Sequence, residues 1–283
     1  MSAESVQVGD LAGLRWRRGP HRVLALHGWL DNAHSFLPLA DELDGIDLIA
    51  LDFAGHGESA RRPDQARYHF DDYVFDVLGA MDHLGWDKAG IIGHSLGGAV
   101  AAITAAAAPE RISSLVLIEG TGPLSAPATD TVAGWRRAVE RSRPHTPRRH
   151  ADLDAAAQAR AKNGDLGFEA SRMLAERGTR TSQEGVYWHH DPRLRWPSSH
   201  RYSEPQVLEL LGAIECPVLT IQSDPPGSKL PREMARRRRA ALRQATSLDC
   251  PGGHHLHMHH PARIGPAIKE HFENHEPAHP DSD

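Results

Sequence analysis

The sequence predicts an α/β fold, a mostly parallel sheet flanked by helices with an inserted helical cap. Three observations predict it. Six short β-branched and apolar runs alternate with helical stretches, the pattern of parallel strands joined by crossover helices. Each run ends in a polar or glycine-containing loop, where ligands of open α/β sheets bind. The alternation then stops between about residues 122 and 205, where helical patterns and a loop rich in Pro, Arg, His and Trp follow one another. A chain of 283 residues accommodates one domain with an insertion more readily than two independent cores. The expected organisation is a first core part over 1–121, a helical cap over 122–205, a second core part over 206–272 and a disordered tail over 273–283.

The strands are expected at VLALHG (23–28), IDLIALDFAG (46–55), AGIIGHS (89–95), SSLVLIEG (113–120), CPVLTIQSD (216–224) and ATSLDCPGG (245–253). Between the second and third runs, DDYVFDVLGAMDHLGW places Tyr73, Val74, Val77, Met81 and Leu84 on one helical face. Asp71 or Asp72 is its N-cap and Gly85 its stop. A second helix follows Ser95 through a run of alanines to Pro109, short enough in its side chains to pack closely on the sheet. Within the insertion, VAGWRRAVERS, DLDAAAQARAK and FEASRMLAERG read as helices. The tail ENHEPAHPDSD is polar and proline-containing, hence the expectation of disorder.

Composition narrows the function classes. Apolar residues at 40% and charged residues at 24% are those of an ordinary globular protein, and a net charge of −5 gives no reason to expect nucleic acid. Arg236 to Arg239 reads as a solvated helix face. Cys216 and Cys250 are each followed by proline and form no spaced metal or redox motif, so buried free thiols are expected. The N-terminus lacks the basic and apolar regions of a signal peptide, and no apolar run approaches the roughly 18 residues that span a membrane. A cytoplasmic protein without a membrane partner is expected.

GHSLGG contains G-x-S-x-G as Gly93, His94, Ser95, Leu96 and Gly97, with a strand before it and a helix after it. That context suits a nucleophile on a tight strand-to-helix turn, where the flanking glycines avoid collision and the helix N-terminus faces the developing negative charge. Ser95 then needs a base, because a free hydroxyl is a poor nucleophile at neutral pH.

On these motifs, residues 23–272 resemble the α/β-hydrolase superfamily. The resemblance implies an oxyanion hole made by the backbone N–H groups of Trp29, in LHGW (26–29), and Leu96. It also implies that the base is the histidine of a Gly-His pair with proline seven positions later, which Gly253, His254 and Pro261 satisfy. His255 is the nearest competitor, and His257, His259 and His260 read as a histidine-rich loop and helix entrance whose spacing matches no definite ligand set. No metal and no cofactor is expected.

The acid departs from the family's commonest pattern, because IQSDPPG places Pro226 where an aspartate would fall and Asp224 two residues early. Glu119, in LVLIEG and 24 residues beyond Ser95, occupies the other position used in the family, as in haloalkane dehalogenases and coelenterazine luciferases. Glu119 is the preferred acid and Asp224 the alternative. A buried glutamate at the end of an apolar strand also needs a partner, and the sequence supplies no other.

A narrower resemblance lies in HDPRLRWPSSHRYSEPQVLELLGAIECPVLTIQ (190–222) and LIEGTGPL (117–124), which resemble the serine hydrolase-like, or Kraken-like, branch. The resemblance implies a carboxylesterase-like serine hydrolase (EC 3.1.1) that cleaves a small-molecule ester through an acyl-enzyme. With serine rather than aspartate as nucleophile, alkyl-enzyme chemistry is disfavoured. C–C bond (diketone) hydrolysis or perhydrolysis on the same triad is the alternative, and a non-catalytic binding protein of this fold is the alternative of another class. Asp191, Arg193 and Arg195 serve either internal ion pairs or substrate contact.

Overall fold

The computed structural model describes residues 3–143, 145–162, 164–224, 227 and 230–279. Strands β1 (Glu4–Val8), β2 (Leu11–Arg17), β3 (His21–Leu26), β4 (Ile46–Leu51), β5 (Ala89–His94) and β6 (Ile112–Ile118) precede a small hairpin, β7 (Thr179–Ser182) and β8 (Gly185–Trp188). Then come β9 (Val218–Ser223) and β10 (Ala245–Cys250). The main sheet has eight strands in the order β1-β2-β4-β3-β5-β6-β9-β10, and the six anticipated runs are its six parallel strands.

The helices are α1 (Leu37–Ala40), α2 (Asp72–His83), α3 (Leu96–Ala107), α4 (Thr131–Arg141), α5 (Leu153–Ala161), α6 (Phe168–Gly178), α7 (Glu204–Gly212), α8 (Arg232–Ala241), α9 (Leu256–His259) and α10 (Pro261–His275). Side chains alternate across the parallel strands. Leu24, Leu26, Ile91, Leu115 and Leu117 pack with Val77, Met81 and Val100 of α2 and α3. Val23, Ala25, Ile92, Val116 and Ile118 pack on the opposite face with Ile264, Ile268 and Phe272 of α10. Burial on both faces is why β3 to β6 and β9 read as apolar runs, whereas β10 at the sheet edge is mostly exposed.

Helix α2 buries Tyr73, Val74, Val77 and Met81 as its periodicity predicts, and Gly85 follows it at φ 64°. Asp71 occupies the N-cap position without a side-chain capping bond. Cys250 is buried, Cys216 is partly so, and both are free. Among the described residues, no helix is long and apolar enough to cross a membrane.

The structure differs from the sequence expectation at four places. First, β1 and β2 add an antiparallel edge that no apolar run announced, turning at Gly9 (φ 61°) and pairing β2 with β4 through Trp16 and Leu48. Second, the insertion is not wholly helical, because β7 and β8 pair Thr179 with Trp188, with Gly185 at φ 113° in the turn. Third, Arg238 is not on a solvated face. It is 1% exposed, paired with Glu204 and donating to the carbonyls of Thr121 and Pro123, so it fixes the chain leaving β6 against α7 and α8.

Fourth, residues 273–279 are not a loose tail. Helix α10 continues to His275, Ala278 bridges to His21, and the His279 amide donates to the Pro20 carbonyl at 3.0 Å; residues 280–283 lie outside the described residues. Glu276 anchors this end, 3% exposed and accepting from the Ser113 hydroxyl. Burial pushes its carboxyl up to about 7, against the hydrogen bond from Ser113 and the charges of Lys88 and Arg22. A raised carboxyl in the folded state contributes stability that is present below the unfolded value near 4.5 and lost as pH rises through about 7. Glu276→Gln is therefore expected to remove this slope and to raise unfolding free energy at pH 8 by roughly 2–3 kcal/mol. Urea unfolding at pH 5 and pH 8 checks it; an equal gain at both would contradict the titration.

The segment between β6 and β9 is tied to the core by buried polar contacts. Arg177 of α6 donates to Asp52 at 2.8 Å, and Asp52 also accepts from the Ala33 and Glu58 amides, so the buried charges are paired and hydrogen-bonded. Asn32 donates to the Leu174 carbonyl at 2.9 Å. Arg193 pairs with Asp191 and donates to the carbonyls of Arg62, Pro63 and Ala66, while Tyr68 donates to Asp191 at 2.9 Å. Asp191 and Arg193 thus serve internal ion pairing; the Arg195 guanidinium lies 3.4 Å from His190.

Candidate active site

The site lies at the carboxyl ends of the parallel strands. Ser95 joins β5 to α3 at φ 52° and ψ −108°, and its amide donates to the Ile118 carbonyl at 3.0 Å. A Cβ at Gly93 would stand 2.5 Å from the Gly97 carbonyl oxygen, and one at Gly97 would collide with the Leu26 carbonyl. The glycines of GHSLGG are therefore required by close backbone approach, while the strained dihedral falls on the serine itself. Among the described residues, Leu30 (φ 61°) and Glu119 (φ 53°) are the other non-glycine positions with positive φ, and both also follow strand ends at this site.

Three of the predicted residues come together. His254 Nε2 lies 3.0 Å from Ser95 Oγ, and His254 Nδ1 lies 3.4 Å from Glu119 Oε2. Glu119 is buried, and its other oxygen accepts from the Ser223 amide at 2.5 Å and the Ser223 hydroxyl at 2.9 Å. Asp224, the alternative acid, is exposed and pairs with Arg232 at 3.1 Å. Pro226, in the position of the family's usual aspartate, lies outside the described residues. Ser223 is a supporting residue that sequence reasoning missed; β6 and β9 are adjacent in the sheet, which brings it beside Glu119.

Leu96 directly follows the serine, and the Gly97 amide donates to the His27 carbonyl at 3.1 Å, which joins the turn carrying Trp29 to the start of α3. The Asp31 amide donates to the Gly28 carbonyl at 3.1 Å, closing a turn with Trp29 and the left-handed Leu30 at its centre. Among the described residues, the backbone N–H groups of Trp29 and Leu96 have no protein acceptor. His27 supports this loop: Nδ1–H donates to the Gly28 carbonyl at 2.7 Å and Nε2 accepts from the Phe53 amide at 3.0 Å. Burial holds its imidazole below the ordinary range, consistent with that neutral form.

The loop carrying His254 is held by residues outside the motifs and by His94 inside GHSLGG. Asp165 accepts from the His254 amide at 2.7 Å and faces His255 Nδ1 at 3.0 Å. His94 donates from Nε2 to the His254 carbonyl at 3.0 Å. Asp31, buried, faces His255 Nε2 at 3.3 Å and accepts from Arg160 at 2.5 Å; Arg160 also donates to the Leu30 carbonyl. Burial pushes His255 down, but its hydrogen bonds to Asp165 and Asp31 and their charges prevail and raise it to about 9. Asp31 is likewise pushed up by burial, yet the His255 hydrogen bond and charge and the Arg160 guanidinium hold it well below the usual carboxylate range. Both ring nitrogens of His255 thus face carboxylates, which removes it as a competing base. His257 is also buried, its ring tilted 43° to that of His94 with centroids 4.2 Å apart, whereas His259 is exposed.

Residues 21–195, more than half of the chain, match the family model described as the alpha/beta hydrolase fold. The chain belongs to the α/β-hydrolase fold family. Among its relatives, this hydrolase-fold protein is 30% identical to a serine hydrolase-like protein of Dictyostelium discoideum, over 94% of this chain and 80% of that one. It is also 30% identical to a serine hydrolase-like protein of Danio rerio, over 93% of this chain and 85% of the other. A hypothetical protein of Pseudomonas aeruginosa PAO1 superimposes with a TM-score of 0.86 at 34% identity, covering 97% of this chain and 99% of that chain. These relatives place the hydrolase in the serine hydrolase-like group.

Proposed function

We propose that this serine hydrolase cleaves a small carboxylic ester through a Ser95–His254–Glu119 triad and an acyl-enzyme. The observation that carries the reading is the single imidazole of His254, with Nε2 at 3.0 Å from the Ser95 hydroxyl and Nδ1 facing the buried Glu119 carboxylate. His254 Nε2 takes the Ser95 proton as Oγ attacks the ester carbonyl. Glu119 holds the Nδ1–H tautomer and stabilises the imidazolium that forms. The Trp29 and Leu96 N–H groups stabilise the oxyanion, and that neither has an acceptor among the described residues supports that role. His254 then protonates the leaving alcohol and, in the second half-reaction, activates the water that releases the acid.

Residues 122–205 are read as the cap that confines the acyl site. Arg160 and Asp165 support this, since they bond to the loops carrying Trp29 and His254. A screen of aryl esters across acyl lengths, with lactones and diketones included, tests the reaction class. Turnover is expected to be highest for short acyl chains. Inactivity on all esters with turnover of a diketone would replace ester cleavage by C–C hydrolysis, and inactivity on every substrate would favour a binding protein of this fold.

A further inference from the structure

Beside the triad, and outside it, Asp31, His94 and His255 bring three buried ligand atoms together. Asp31 Oδ2 lies 3.3 Å from His255 Nε2 and 3.6 Å from His94 Nδ1, and the three atoms all lie within 4.8 Å of one another. At metal–ligand bonds of about 2.1 Å, neighbouring donor atoms stand roughly 3.0–3.5 Å apart, from octahedral to tetrahedral angles. The spacings to Asp31 match that range to within about 0.2 Å.

His94 supplies an independent observation. Its ring is fully buried, and Nε2 faces the His254 carbonyl oxygen, an atom that can only accept, so Nε2 carries the proton. Nδ1 of the neutral ring then presents a lone pair. That buried nitrogen has no hydrogen-bond partner, and the group it faces is a carboxylate oxygen. Two buried acceptors 3.6 Å apart repel, and a shared cation satisfies both.

The outer partners have the arrangement that metal-ligating histidines ordinarily show, with the second ring nitrogen donating to a carboxylate or a carbonyl. His255 Nδ1 has the Asp165 carboxylate at 3.0 Å, His94 Nε2 has the His254 carbonyl, and Asp31 Oδ1 accepts from Arg160. Two imidazoles and one carboxylate suit zinc and its first-row neighbours, whereas calcium and magnesium take oxygen ligands.

We propose that Asp31 Oδ2, His94 Nδ1 and His255 Nε2 form a site for one first-row divalent transition ion of the zinc type, with water completing its coordination. Binding releases a proton from His255 Nε2 to solvent, while His255 Nδ1–H goes on donating to Asp165. The three ligands come from the turn after β3, the end of β5 and the loop after β10, so the ion would join the loop carrying Trp29 to the loop carrying His254. It is a structural tie rather than a participant in bond cleavage, and it does not depend on the reaction proposed above.

The test uses the full chain, stripped with chelator and titrated with Zn²⁺ against a chromophoric competitor, with Co²⁺ absorption as a second probe. One equivalent per chain is expected to bind. His255→Gln and Asp31→Asn should weaken binding by more than 100-fold, and Asp165→Asn, outside the ligand set, by about 10–100-fold. His254→Ala and the double variant His259→Gln/His260→Gln should retain it. Circular dichroism verifies each fold, and Asp165→Asn with His255→Gln decides the matter should Asp31→Asn not fold. Absence of stoichiometric binding would overturn the site. So would binding that survives His255→Gln, or binding lost with His254→Ala or with the His259/His260 variant, which would place the ion on the base or on the surface histidines.

Discussion

Glu119→Gln is expected to lower kcat for an aryl ester by roughly 10³–10⁴-fold, while Asp224→Asn stays within about twofold. The difference follows from position. Glu119 is buried, anchored on one oxygen by Ser223 and directed with the other at His254 Nδ1, 3.4 Å away. A glutamine there keeps the shape and can still accept from Ser223, but the amide nitrogen it turns to Nδ1 is a donor. The imidazole is then driven to the tautomer that cannot take the serine proton, and the imidazolium loses its counter-charge. Asp224 is exposed and paired with Arg232, so its amide leaves His254 untouched. Steady-state kinetics on both variants checks the assignment, and the reverse ranking would move the acid to Asp224.

Ser95→Ala is expected to cost more, about 10⁴–10⁶-fold in kcat, with KM for the ester changed by less than about fivefold. The hydroxyl is the attacking group, whereas oxyanion donors and substrate contacts remain after its removal. Alanine also keeps a Cβ at φ 52°, so the backbone strain at the turn is unchanged and the melting temperature should shift by only a few degrees. A variant that keeps most of its turnover would remove Ser95 from the mechanism; one that fails to fold would point to the hydroxyl as a structural group.

Much of this arrangement was legible in the sequence because it is local. Five of the six parallel strands are largely buried on both faces, so each appears as a short apolar run, and β10, at the sheet edge, is mostly exposed. Ser95 is marked by its glycines, and His254 by its spacing to Pro261 at the start of α10. The antiparallel pair β1–β2 and the β7–β8 hairpin lack such runs, since much of β1, β7 and β8 is not buried and polar residues interrupt them. Arg238 shows the limit of charge runs. Four consecutive arginines describe a helix but not which of them points inward, and the acceptors of Arg238 come from Glu204 and from carbonyls 115–117 residues away.

The supporting shell was illegible for the same reason. Asp165 reaches His254 across 89 residues, Ser223 reaches Glu119 across 104 and Arg160 reaches Asp31 across 129. No local pattern announces such pairs. Glu119 was the intermediate case: its burial demanded a partner, and the order of β6 and β9 supplied Ser223 along with His254. Asp31 follows the turn expected to hold the oxyanion donor, yet only the fold shows it beside His94 and His255.

The central claim is that Ser95 is a nucleophile activated by His254, and labelling with a fluorophosphonate probe tests it most directly. The folded protein should gain one phosphonyl adduct, localised to Ser95 by peptide mass spectrometry, with labelling lost in Ser95→Ala and strongly slowed in His254→Ala. Absence of labelling in folded protein, or an adduct elsewhere that persists in Ser95→Ala, would contradict it.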